Sequence, residues 1–163
     1  MNQYPAIDKP HAPISIWDFQ RTLSQRLLVW SGVSTVLGIV MALRGKFWRG
    51  VGSQFVGWAV VNAAIALVGQ YVTQRRRAQL DDPELAKHRL REAANLKRLL
   101  WINAVLDVFY MLGGAFMMGR RQSGAQTRGT GFGIILQGLF LLVFDIIHAL
   151  CTPTWPWGGS DPR

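Results

Sequence analysis

One acidic residue lies in the middle of a long apolar run, and this feature constrains the fold more than any other. Residues 99–118 read LLWINAVLDVFYMLGGAFMM, with Asp107 near the centre. Twenty residues rise about 30 Å as an α-helix, which matches the hydrocarbon thickness of a bilayer. The run is therefore predicted to cross a membrane. An acid at that depth is costly in lipid, so Asp107 is expected to face protein or a wet cavity.

Three other apolar blocks of similar length occur in the chain, and charged connectors separate all four. Half of the residues are hydrophobic, and the mean hydropathy of +0.16 is modest because the connectors dilute the blocks. This pattern predicts an all-α membrane protein, with four transmembrane helices in one antiparallel bundle over residues 15–151 and no attached soluble domain. The predicted spans are 27–43, 51–72, 99–118 and 130–151.

The segments that flank the spans have different compositions. Residues 1–14 contain three prolines and little periodicity, which predicts a flexible lead-in without a cleavable signal peptide. Ser15 and Asp18 resemble a helix-capping signal, so a short amphipathic helix is predicted to feed the first span, with Trp17 at headgroup depth. Residues 152–163 place two tryptophans beside prolines, which is typical of an interfacial anchor.

The middle connector, residues 73–98, is the most charged part of the chain. Its acidic stretch 81–84 contains a proline, a combination that favours the start of a helix. That helix is predicted to continue without a break into the third span, as a long cytoplasmic extension. Its charges are interpreted mainly as a solvated face, with a surface for a partner as the alternative.

The distribution of basic residues predicts the orientation. The net charge is +9, and Lys and Arg occur in short stretches beside the apolar blocks, which indicates headgroup contact rather than nucleic-acid binding. Twelve of the 18 basic residues belong to the amino-terminal side, the middle connector and the tail. By the positive-inside rule, both termini of this multi-pass cell-membrane protein are predicted to be cytoplasmic.

A short internal repeat is visible. Residues 26–28 resemble residues 98–100 (Arg-Leu-Leu), and residues 49–52 resemble residues 128–131 (Arg-Gly-x-Gly), at offsets of 72 and 79 residues. The match predicts two repeated helical hairpins, and chance similarity is the alternative because the motifs are short.

Polar residues of the spans are predicted to meet at similar depth inside the bundle. The depth of each follows from the rise of 1.5 Å per residue, counted from the predicted cytoplasmic ends of the helices. The resulting intramembrane polar cluster consists of Asn62, Asn103, Asp107, Tyr110, Asp145 and His148.

Two functions are compatible with such a cluster. The first is a structural or interaction subunit in which the polar groups satisfy one another and fix helix packing. The second is a small proton- or cation-coupled transporter or sensor that uses Asp107, Asp145 and His148. A metal site from the same three residues is disfavoured because only one Asp-x-x-His pair is present, and the single intramembrane histidine excludes bis-histidine haem. No cofactor is expected.

Other chemistry has little support. No nucleophile is paired with His148 in the sequence, which argues against a hydrolytic enzyme. Cys151 is the only cysteine, so an internal disulfide and a multi-thiolate metal site are excluded. The predicted partners are the lipid bilayer and either further copies of the chain or a larger membrane complex.

Two motifs carry a family resemblance. Trp58-x-x-x-Asn62 and Asn103-Ala-x-Leu-Asp107-x-x-Tyr110 resemble the pattern of small four-span bacterial membrane proteins of an uncharacterised family. The resemblance implies a four-helix fold and no specific chemistry. Small multidrug transporters also have four spans, but their essential acid lies in the first span, where this chain has only serines and a threonine. That departure argues against drug efflux.

Overall fold

The computed structural model describes residues 14–153, and this part of the chain folds into four helices without a strand. All four are long and apolar enough to cross a membrane, as judged by length and composition. The prediction of four such helices is confirmed. The predicted lead-in and tail lie almost entirely outside the described residues. The helices are α1 (Ile16–Ala42), α2 (Lys46–Ala78), α3 (Ala86–Gly119) and α4 (Ala125–Cys151).

The helices extend beyond the predicted spans. The predicted amphipathic helix and the first span form one continuous helix, α1. Helix α4 begins at Ala125, five residues before the predicted span of 130–151. Helix α3 passes without a break through residues 99–118, as predicted, but begins only at Ala86. The preceding acidic stretch forms a turn instead, because the Asp82 carboxylate accepts a hydrogen bond from the Glu84 amide at 3.0 Å.

The helices pack in the order α1, α2, α4, α3. Helix α1 packs on α2, α2 on α4, and α4 on α3, whereas α1 meets α3 only near the amino-terminal ends of the two helices. Helices that follow each other in the chain form two sequential pairs, α1 with α2 and α3 with α4. A short connector joins the two helices of each pair: residues 43–45 in the first and residues 120–124 in the second. In the first of these, Gly45 adopts a φ of 117°, a conformation that L-residues with a side chain rarely adopt. Helices α2 and α4 therefore form the centre of the molecule.

Glycines allow α2 and α4 to cross in backbone contact. A Cβ on Gly50 would clash with the carbonyl oxygen of Gln126, and a Cβ on Gly129 would clash with the carbonyl oxygen of Phe47. The two contacts are reciprocal, since each helix supplies one glycine and one carbonyl. Small residues at such a seam bring helices close enough for extensive van der Waals contact.

A second set of glycines packs the helices within each sequential pair. Gly38 of α1 lies against Gly52 of α2, and Gly114 of α3 lies against Gly131 of α4. In each Arg-Gly-x-Gly motif the first glycine therefore contacts a helix of the other sequential pair. The second glycine contacts the partner helix within its own pair. This division explains why both motifs need two glycines at that spacing.

The start of α1 packs against the start of α3. Ile16 and Trp17 are buried against Ala93, and the Trp17 indole donates a hydrogen bond to the Pro83 carbonyl at 3.2 Å. Trp17, predicted to lie among lipid headgroups, is only 3% exposed. The amino-terminal part of α3, predicted to be solvated on most sides, is thus partly covered by α1.

Candidate functional site

Two contacts between α2 and α3 locate the predicted polar residues. The rings of Trp58 and Tyr110 meet edge to face, with centroids 5.0 Å apart. Further along both helices, Arg76 and Glu92 form an ion pair at 3.4 Å. Asn62 and Asp107 each lie about one helical turn from the aromatic contact, in the direction of this ion pair. They therefore occupy the same level of the bundle.

Asp107 of α3 and Asp145 of α4 are both buried, at 4% and 7% exposed, and we call these two residues the acid pair. The Asp107 backbone carbonyl lies beside Gly138, whose missing side chain lets α3 approach α4 at this level. No salt bridge within residues 14–153 involves either acid. The pair is thus buried without a basic counter-ion among the described side chains.

Two buried polar atoms of the site have no hydrogen-bond partner among the described residues. They are Nδ2 of Asn62, a residue that is 2% exposed, and Oδ2 of Asp107. Buried polar groups are normally paired, and each unpaired group costs about 1–3 kcal/mol. A water molecule could accept from the Asn62 amide and donate to the Asp107 oxygen, and the oxygen alone could take up a proton or a small cation.

His148 is buried, but its ring nitrogens bond to groups other than the acids. The Arg26 guanidinium donates to Nε2 at 3.1 Å, and Nδ1 lies 2.7 Å from the Phe144 carbonyl. Because a guanidinium only donates, Nε2 must accept and the ring proton must reside on Nδ1. The ring also packs on that of Phe144, with centroids 4.1 Å apart. The imidazole is therefore held as a neutral tautomer by Arg26 and by its own helix.

The predicted cluster is only partly assembled. Asn62, Asp107, Asp145 and His148 are buried, whereas Asn103 is half-buried and Tyr110 is 45% exposed. No hydrogen bond within the described part of the chain joins two of these six residues. Mutual satisfaction, the basis of the predicted packing role, is therefore not the arrangement found.

A different polar group fastens α1 to α4. Gln137 is completely buried; its Oε1 accepts a hydrogen bond from the Trp30 indole at 3.3 Å, and its Nε2 donates to the Ser34 hydroxyl at 3.2 Å. We call these three residues the Gln137 cluster. Sequence analysis missed Gln137, although a lone amide within an apolar run is the signal by which Asn62 was found.

Comparison with known proteins gives a family and no activity. Within residues 14–153, no group of three or more His, Cys, Asp and Glu side chains is arranged to hold a metal ion. No curated protein and no solved structure matches the chain. A family model matches residues 26–146, a range that includes Asp107, Gln137 and Asp145. The resemblance to an uncharacterised family is confirmed: the chain belongs to the Family of unknown function (DUF6992).

Proposed function

We propose that this chain is an integral protein of the cell membrane in which four antiparallel helices span the bilayer and both termini are cytoplasmic. Large apolar side chains that point outward support this placement: Val29, Val60, Phe109 and Phe116 are each more than 60% exposed. A folded surface of this kind suits lipid better than water. The excess of basic residues on the side of the termini supports the orientation.

The two sequential helix pairs are proposed to be repeats. A shift of 79 residues converts the contact between Phe47 and Gly129 into the contact between Gln126 and Gly50. Within the pairs, the contact of Gly38 with Gly52 corresponds to that of Gly114 with Gly131. For α1 and α3 this correspondence gives an offset of 76, rather than the 72 suggested by the Arg-Leu-Leu match. Contacts that map onto each other in this way support a twofold axis between α2 and α4.

The function proposed for the bundle is the exchange of protons, or of a small monovalent cation, at Asp107 and Asp145. The observation that carries it is the burial of both acids without a counter-ion among the described residues, together with the unpaired atoms on Asp107 and Asn62. Acids inside a membrane protein are costly and commonly mark ion or proton pathways. Because two buried carboxylates in one bundle repel, a proton or cation bound at either acid relieves that repulsion.

His148 and Arg26 are proposed to control access to the acid pair. His148 lies three residues beyond Asp145 on α4, about 4.5 Å closer to the end of the helix. A proton that leaves Asp145 toward that end must pass the hydrogen bond between Arg26 and the imidazole. Breaking this bond frees Nε2, which then accepts the proton.

A flux measurement tests the proposal. The protein is reconstituted into liposomes that contain a pH-sensitive dye, and a potassium diffusion potential drives proton entry. The wild type is expected to acidify the lumen faster than empty liposomes. Asp107→Asn and Asp145→Asn are each expected to lower the rate at least tenfold, because a neutral amide does not carry the proton. Asp18→Asn, an exposed acid of α1, is the matched control and should retain the rate.

A structural or interaction subunit is the second candidate, and the backbone contacts between α2 and α4 favour it, because such contacts make the bundle rigid. On this alternative, Asp107→Asn reaches the membrane and folds, and proton entry equals that of empty liposomes in the wild type and the variant. A partner recovered at fixed stoichiometry in mild detergent would then support the second candidate, whereas recovery of the chain alone would count against it.

A further inference from the structure

The carboxyl-terminal half of α2 stands beside a cavity of about 680 Å³, which lies between α1, α2 and α3. Its wall on α2 extends from Ala64 to Arg76, a rise of about 18 Å. No described residue of α4 lines it, and Arg26 of α1 does not line it either. The cavity is therefore separate from the hydrogen bond between Arg26 and His148.

The wall of this cavity is polar at one end and apolar at the other. On each helix the polar lining residues lie at the end nearer the connector between α2 and α3. Beyond them, toward the middle of each helix, only apolar residues line the cavity. We call the first end the mouth and the second the floor. The mouth consists of Gln20, Ser24, Thr73, Arg76, Glu92 and Asn95, and the floor of Leu27, Ala66 and Leu99.

The mouth suits water better than an acyl chain or a charged headgroup. The two charged residues that line it, Arg76 and Glu92, pair with each other at 3.4 Å, so their charges cancel. The hydroxyl of Thr73 and the amide of Asn95 need hydrogen-bond partners. A hydrocarbon chain cannot supply such partners, whereas water can. The composition of the mouth therefore favours water as the occupant.

The floor of the cavity lies close to the level of Asp107. Leu27 and Ala66 are buried in one apolar cluster with Leu141. Asn62 lies four residues beyond Ala66 on α2, about 6 Å along the helix axis, and it shares the level of Asp107. Asn62 and Asp107 carry the two unpaired atoms of the site. About one helical turn thus separates the floor from the groups that lack partners.

We propose that this cavity is a water-filled vestibule through which protons pass between the cytoplasm and Asp107. Water enters at the mouth, and the apolar floor limits its access to the acid, as apolar constrictions do in channels. The route past His148 leads to Asp145 on α4, so the vestibule is a second and separate approach to the acid pair. The inference rests on the proposed function, because it names the path by which protons reach the same acids.

Cysteine labelling in membranes tests whether water fills the vestibule. Cys151, the only cysteine of the chain, is first replaced by serine. Gly69→Cys then adds a thiol to the cavity wall, at a position where a Cβ meets no atom within 4 Å. Inverted membrane vesicles, which expose the cytoplasmic side, are treated with a charged methanethiosulfonate that reacts with thiols in water and does not cross lipid. The Gly69→Cys thiol is expected to react.

Leu67→Cys is the matched control for this labelling. Leu67 lies two residues from Gly69 and is 57% exposed, but it does not line the cavity, so lipid is expected to cover it. In inverted vesicles Gly69→Cys should react at least tenfold faster than Leu67→Cys. It should also react faster there than in right-side-out vesicles. Val72→Cys, on the same wall, serves as the reporter if Gly69→Cys does not fold.

Filling the vestibule tests whether it leads to Asp107. Gly69→Leu should lower proton entry into dye-loaded liposomes at least fivefold, because the added side chain displaces water. Gly57→Leu should retain the rate, since Gly57 has the same free space for a Cβ but does not line the cavity. Circular dichroism checks that both variants stay helical. If Gly69→Leu unfolds, Val72→Phe fills the cavity instead.

Two outcomes would overturn the inference. Equal labelling of Gly69→Cys and Leu67→Cys would mean that the cavity is no wetter than the surface that faces lipid. A folded Gly69→Leu with the wild-type rate of proton entry would mean that protons do not pass through the cavity. Labelling does not depend on proton flux. A reactive Gly69→Cys in a chain that conducts no protons would therefore support the water-filled cavity and contradict the proposed proton exchange.

Discussion

The bundle contains two buried polar groups that are alike in burial and opposite in hydrogen bonding. In the Gln137 cluster, the amide oxygen and nitrogen of Gln137 both have partners, on Trp30 and Ser34. At the acid pair, Oδ2 of Asp107 has none among the described residues. Neutral, paired groups are sufficient to fasten α1 to α4. The acids are buried at a cost to stability that the paired Gln137 cluster does not carry, and the proposed proton exchange would account for that cost.

This difference predicts that substitutions which remove the polar group change the free energy of unfolding in opposite directions at the two places. Replacing a paired group leaves its partners unsatisfied and lowers the free energy of unfolding. Replacing an unpaired charged group removes a desolvation cost and raises it. The following three predictions test this contrast, beginning with the largest effect.

Gln137→Leu is expected to lower the free energy of unfolding by about 1–2 kcal/mol, because the Trp30 indole and the Ser34 hydroxyl both lose their partner. Unfolding in mixed micelles, followed by circular dichroism, measures the change. Gln74→Leu, at an exposed position of α2, is the matched control and should change stability by less than about 0.5 kcal/mol. Equal values for the two variants would show that the Gln137 cluster does not fasten the helices.

Asp107→Asn is expected to raise the free energy of unfolding by about 1 kcal/mol at neutral pH, since it removes a buried charge that has no counter-ion. If the two buried acids repel, the effect of this change should depend on Asp145. A double-mutant cycle with Asp145→Asn is expected to give a coupling of about 0.5 kcal/mol or more, whereas a cycle with Gln74→Leu should be additive. A large destabilisation by Asp107→Asn would instead assign the acid a packing role.

Trp30→Phe is expected to destabilise the bundle by about 0.5 kcal/mol more than Trp58→Phe. Trp30 stacks on Phe140 and Trp58 meets Tyr110 edge to face, and phenylalanine preserves much of either contact. Only the Trp30 indole donates a hydrogen bond to the Gln137 side chain. Thermal unfolding of both variants under one condition measures the difference, and equal midpoints would remove the distinction.

The sequence predicted the number of helices and their apolar segments, because twenty-residue blocks such as 99–118 leave few alternatives. It failed at the helix ends. The fourth span was predicted to begin at residue 130 because only the apolar block was counted, whereas α4 begins at Ala125, where alanine, glutamine and arginine all favour a helix. It also gave no indication that Trp17 packs against Ala93, because that contact depends on a residue 76 positions away in the chain.

The candidate site was predicted by depth alone. Depth placed Asn62 and Asp107 at one level, which follows from the rise per residue. It could not separate buried Asp107 from exposed Tyr110, three residues away, because their difference depends on the rotation of α3 about its axis. It also gave no indication that Arg26 would donate a hydrogen bond to His148.

By itself, the sequence determined that this chain forms four long apolar helices, because hydrophobic blocks and charged connectors are local properties. The tertiary structure decided which helix contacts which, that Gln137 is paired and that Asp107 is not. Those outcomes arise from side chains that are up to 107 residues apart, as Trp30 and Gln137 are. Such pairs are set by the rotation and crossing of whole helices, and these are fixed by the glycine contacts between α2 and α4.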